Sequence, residues 1–110
     1  MADLELYERR TYDVHVGEMS KVLELYSSQG WPALEAGGHS KFLVGYFVSD
    51  TGPLHQLIHI WRFSGDVERR DFWKNLFADE DFMAFAVQLR PLLHKQEIQL
   101  MQSAPCGPRP

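Results

Sequence analysis

Five residues within the first and third apolar stretches have the types that do acid–base and anion chemistry. His59 and Trp61 are two apart in "HQLIHIWRF", and Glu8, Arg10 and Tyr12 alternate in "YERRTY". In a strand, residues two apart share a face. An imidazole such as His59 is a general acid or base, since histidine titrates near neutrality. A guanidinium such as Arg10 holds a carboxylate or an enolate. Tyr12 would donate a hydrogen bond, Trp61 would form an apolar wall, and Glu8 would pair with Arg10 or orient His59. The catalytic candidates are therefore His59, Arg10 and Tyr12, with Trp61, His55 and Glu8 as ligand-binding candidates. A self-satisfied Glu–Arg–Tyr–His network that fixes packing or register is the competing reading. Periodicity leaves open whether the two sets share one face.

Metal and cofactor chemistry finds little support in the sequence. His55 and His59 are four apart on an extended segment, hence roughly 13 Å apart. A single metal needs ligands about 2 Å from itself. The single cysteine, Cys106, stands in the tail "APCGPRP" and allows neither an internal disulfide nor a cysteine-based zinc site. Gly37-Gly38 lacks the strand–GxGxxG–helix setting of a phosphate loop. No cofactor and no metal is expected.

The elements that must position these groups follow from periodicity. Leu4 to Val16 alternates and reads as a strand. Met19, Val22, Leu23 and Tyr26 have helical spacing, and "GWPALEAGG" reads as a connection anchored by Trp31 and Leu34. Lys41 to Ser49 and Leu54 to Phe63 are two strands of a hairpin around "DTGP". Asp66 is a plausible N-cap for a helix with the stripe Phe72, Trp73, Leu76 and Phe77. In that helix Arg69-Arg70 sits among acids and reads as a solvated face. "ADED" restarts the helix, and Phe82, Phe85, Ala86 and Leu89 repeat the spacing. Leu92 to Gln102 forms a last strand. The order β-α-β-β-α-β is that of the ferredoxin-like α+β fold, a four-stranded antiparallel sheet with helices on one face. Residues 1–103 form this domain, and 104–110 a flexible Pro/Gly tail.

"HQLIHIWRF" is apolar or aromatic at both alternating sets. Helices cover only one face, and a large apolar patch is rarely left in water. A second copy packed sheet to sheet is the expected cover, and the two sheets would enclose a partly polar cavity.

With 110 residues, 45% of them hydrophobic, and a net charge of −4, the chain suits one folded domain and disfavours nucleic acid or an anionic membrane as partner. No apolar run approaches the roughly 20 residues that span a bilayer. The acidic start carries no leader-like segment, so the expected location is cytoplasmic.

Four pieces, in order, resemble the NIPSNAP family of the dimeric α+β barrel superfamily. They are "YERRTYDVHVG", "LVGYFVSDTGPLHQLIHIWRF", "RRDFWKNLFADEDFMAF" and "RPLLHKQEIQLM". The resemblance implies a homodimer of ferredoxin-like subunits pairing as a dimeric α+β barrel, and it favours one shared face for Arg10, Tyr12, His59 and Trp61. It leaves activity open between cofactor-free oxygenase or acid–base chemistry on a small organic ligand and a non-enzymatic interaction module. Arg9 and His55 depart from the family pattern, where an aliphatic residue and Asn are usual.

Overall fold

Three strand-forming runs and a fourth near the C-terminus pair into one antiparallel sheet in the computed structural model, which describes residues 5–110. The strands are β1 (Leu6–Val14), β2 (Leu43–Val48), β3 (Gln56–Phe63) and β4 (Leu93–Gln102), in the order β2-β3-β1-β4. This is the expected ferredoxin-like order, with β1 and β3 central and adjacent. The expected start of the first strand at Leu4 lies outside the described residues.

The helices are α1 (Met19–Leu25), α2 (Trp31–Ala36), α3 (Asp66–Phe77) and α4 (Glu80–Leu89). The segment expected to be a loop, "GWPALEAGG", is instead largely helical. A π-helical turn, Tyr26–Gly30, carries the chain from α1 into α2. Its wider ring closes from the Trp31 N–H to the Tyr26 carbonyl. Pro32, in the first turn of α2, has no N–H to give and would end an ordinary helix. The π turn takes up that mismatch, so the helix is widened rather than broken.

A second difference concerns the start of α3. Gly65, not Asp66, occupies the cap position, with no side-chain cap bond. The Ser64 N–H is taken by Glu68, 2.9 Å away. Asp66 is spent on Arg70 instead, at 2.6 Å. The restart at α4 follows expectation, because Asp79 caps it through the N–H groups of Asp81 and Phe82.

Strand register settles the faces. Arg10 is opposite His59, Glu8 opposite Trp61, and Tyr12 opposite Leu57. Ile98 is opposite Arg10 on the other side, and Tyr46 is opposite His59. All of these lie on the face of the sheet that carries the helices, with Ile98 at its exposed edge. Two apolar clusters form there. One joins Tyr12, Tyr26, Leu57 and Phe85, and the other joins Leu34, Trp61, Phe63 and Phe72. Tyr46 and Phe82 pack against both. Trp61 and Phe63 are thus buried by the chain's own helices and need no partner to cover them, contrary to the expectation from sequence. The helix-free face carries the other set, with Ile58 and Ile60 half-buried, Thr11 buried, and Phe47 exposed.

Candidate functional site

Glu8 is fully buried and is met by three donors. The Arg10 Nε lies 2.5 Å from Oε2, the Arg69 Nε 2.5 Å from Oε1, and the Trp73 indole N–H donates to Oε1 at 2.9 Å. A buried carboxylate is stable only when its lone pairs are used in this way. The Arg10 guanidinium also lies 3.7 Å from the centre of the Trp73 ring, a cation–π contact that fixes its plane. It donates to the Tyr12 hydroxyl at 3.3 Å. Two elements thereby set the position of one cation: β1 supplies the counter-charge, and α3 supplies Arg69 and the indole.

Beside this group lies His59, 4% exposed. Its Nε2 and the Tyr26 hydroxyl are 2.9 Å apart. Tyr26 stands where α1 passes into the π turn. Burial, and secondarily the Arg10 charge, lower the His59 pKa to about 3, so the imidazole is neutral at pH 7. The near-neutral titration expected of an unperturbed histidine is therefore not what this environment gives. Burial, reinforced by Tyr12 and Tyr46, raises the Tyr26 phenol well above its ordinary value, and it stays protonated.

A cavity of about 80 Å³ opens between the sheet and the helices, where the two apolar clusters meet. Arg10, Tyr12, His59 and Trp61 line it, with Tyr26, Tyr46 and Trp73. Two buried polar atoms of that lining, His59 Nδ1 and Trp61 Nε1, have no hydrogen-bond partner. Buried polar atoms are rarely left so, and each costs about 1–3 kcal/mol while unmet. These residues do not lie on the sheet face that a second copy was expected to cover. The polar cavity is inside one subunit, on the helix side of the sheet.

Of the expected residues, the fold brings His59, Arg10, Tyr12 and Trp61 together around one space. Glu8 stands behind Arg10 and does not line the cavity. His55 is placed elsewhere, in the turn before β3 with φ of 59°, a left-handed backbone that Asn tolerates better than His. It does not line the cavity. Sequence reading missed Tyr26, Tyr46, Arg69 and Trp73. Arg69 was assigned to a solvated face, yet its side chain is 17% exposed and turned inward, whereas Arg70 is 74% exposed. Two arginines and three acids in six positions, Asp66 to Asp71, could not say which arginine faces the sheet. Of the remaining histidines, His15 is exposed, whereas His39 is half-buried and bonds Asp79 at 2.9 Å. Among the described residues no group of three His, Cys, Asp or Glu is placed to hold a metal, and no helix is long and apolar enough to cross a membrane.

The fold is similar to several solved structures. A NIPSNAP family protein of unknown function from Agrobacterium tumefaciens str. C58 is 32% identical, with a TM-score of 0.86 over 94% of this chain and 92% of that one. A second NIPSNAP family protein from the same organism is 29% identical, with a TM-score of 0.85 over 94% and 89%. SnoaB, a cofactor-independent oxygenase from Streptomyces nogalater, is 15% identical with a TM-score of 0.63 over 96% and 98%, a likeness of fold alone. No curated protein matches the chain. The sequence profile of NIPSNAP matches residues 7–108, nearly the whole length. The chain belongs to the NIPSNAP family.

Proposed function

We propose that this protein binds a small organic molecule in the cavity between sheet and helices and moves a proton on it without a resident cofactor. The observation that carries this reading is the pair of unpartnered polar atoms, His59 Nδ1 and Trp61 Nε1, on a cavity that Arg10 and Tyr12 also line. A purely structural network would have no reason to leave these two unmet, since Glu8 nearby is fully satisfied. In this reading His59, neutral at pH 7, takes a proton from the ligand. Its low basicity means that the imidazolium persists only while the new oxyanion lies between it and Arg10. Tyr26 orients the ring through Nε2, Tyr12 and Arg10 receive the oxyanion, and Glu8 holds Arg10 in place. The fold that SnoaB shares with this chain is one on which a cofactor-independent oxygenase operates, which supports chemistry of that kind here.

The same proposal has two copies pairing through the helix-free sheet face, where Phe47, Ile58 and Ile60 lie. Its location is the cytoplasm. A non-enzymatic module is the second reading, favoured by the saturation of Glu8. His59→Gln decides between them. Loss of ligand binding or turnover with the fold intact supports the site. Retention of both, with only a change in stability, overturns it. Sedimentation of Phe47→Glu as a monomer, against a wild-type dimer, tests the pairing.

A further inference from the structure

The donors and acceptors around the cavity are unequal in number, and the charges do not cancel. Glu8 has accepted three bonds and offers little more. Tyr12 accepts from Arg10 and, among the described residues, gives its own hydrogen to no protein acceptor. Trp61 Nε1 can only donate, and it is unmet. The ion-pair cluster behind the cavity holds two carboxylates, Glu8 and Asp66, against three guanidiniums, Arg10, Arg69 and Arg70. One positive charge is left over, and Arg10 is the member of the cluster that reaches the cavity.

Size adds a second constraint. The cavity of about 80 Å³ is about half the size of the cavity of about 150 Å³ that takes a benzene ring. A head group fits, but an organic body does not. The lining includes Phe77 and Gln96, both exposed, which mark the mouth. Beyond Gln96 on the same face of β4 come Ile98 and Leu100, 52% and 47% exposed, beside Arg10 and Glu8. These apolar side chains run on from the mouth with no helix over them.

Resting on the proposed function, we propose that the ligand is a monoanionic amphiphile, a carboxylate or enolate head on an apolar body. The head accepts hydrogen bonds from Trp61 Nε1 and the Tyr12 hydroxyl and sits against Arg10. The body leaves by Phe77 and lies along Ile98 and Leu100. The unpartnered indole sets the acceptor character, the surplus guanidinium sets the charge, and the small volume forces the body outward. A cationic head would meet like charge at Arg10, and His59 Nδ1 is the one unpartnered acceptor on the lining that a donor could use.

Titration calorimetry with butyrate, hexanoate and octanoate, against octylamine and octanol, tests this. The ring resonances of His59 report where each probe binds. The carboxylates are expected to perturb His59 and to gain about fourfold in affinity per methylene, the equivalent of roughly 0.8 kcal/mol for each CH₂ buried. Octylamine and octanol are expected to bind at least about tenfold more weakly than octanoate, the loss of one charge-assisted bond. Tyr12→Phe, which leaves the Arg10–Glu8 pair in place, should weaken every carboxylate alike. Ile98→Ser with Leu100→Ser should flatten the chain-length series and leave butyrate unchanged. Equal binding of octylamine overturns the proposal, as does a flat series in the wild type. A change of oligomeric state in the Ile98/Leu100 variant, with the series intact, assigns that patch to a second copy and also overturns it. Indole separates the two levels. If indole perturbs His59 and no carboxylate does, the cavity reading stands and the ligand class is wrong; if no probe perturbs His59, both fall.

Discussion

Replacing Glu8 by Gln isolates the energetic role of the buried carboxylate. The side chain keeps its volume, so no cavity opens and the change is electrostatic. Glu8 is fully buried, while Arg10 and Arg69 are 11% and 17% exposed. Removing one partner of a buried pair costs about 3–5 kcal/mol, because the other charges are left uncompensated. The two guanidiniums keep a little access to water, which places the expectation at the lower end, about 3 kcal/mol. An amide can still accept from Trp73 and Arg69 through one oxygen, but its NH₂ then faces the Arg10 Nε donor. For a domain of this size the loss is a fall in Tm of roughly 12 °C, out of a total stability on the order of 5–15 kcal/mol. Urea unfolding followed by circular dichroism reads it as a lower midpoint at unchanged slope. A cycle with Arg69→Leu supplies the check. If the two residues act together, Glu8→Gln should cost at least about 1 kcal/mol less in the Arg69→Leu background. A loss below about 1 kcal/mol in the wild-type background, or no coupling with Arg69, would refute the account of a carboxylate that holds two cations.

Further outcomes follow from other parts of the structure. At Gly30 an added Cβ would lie 2.7 Å from the buried Phe85 ring, so Gly30→Ala should destabilise by about 1–3 kcal/mol in thermal unfolding, and an unchanged Tm would mean the ring can move aside. The His59 pKa is lowered to about 3, so the unfolded chain binds a proton there before the folded one does. Its contribution is complete above about pH 6.5 and is lost as pH falls from there toward 3, by at most about 1.4 kcal/mol per pH unit. His59→Gln should remove that part of the acid sensitivity, and an unaltered stability–pH curve would contradict the burial argument. Asp79 is held below the usual carboxylate range, first by its bond to His39 and then by the N–H groups of Phe82 and Asp81. That stability is present above about pH 4 and is lost as pH falls through the lowered pKa. Asp79→Ala should cost about 1 kcal/mol at pH 7, as for a lost helix cap, and the gap to wild type should close in acid.

The four-piece order of the fold and the face-sharing of Glu8, Arg10 and Tyr12 were legible because alternation and helical spacing are local properties. So was the stop and restart at Asp79. The residues that complete the site were hidden for a different reason. Arg69 and Glu8 are 61 positions apart and Trp73 and Glu8 are 65 apart. Within α3 alone, Arg69 looks like one more partner for Asp66. The π turn was also illegible, since Pro32 signals the end of a helix whether the chain breaks or widens before it.

By itself, then, the sequence determined which residues alternate together, which segments are amphipathic, and that both faces of "HQLIHIWRF" carry apolar groups. A period of two defines two faces but attaches neither to the helices. Only the tertiary structure decided that, by docking α3 and α4 on the side of Trp61 and Phe63. The choice moved the polar cavity from between two sheets to the inside of one subunit. It also set a buried carboxylate behind Arg10, left His59 neutral, and excluded His55, whose place in a left-handed turn no alternation rule reaches.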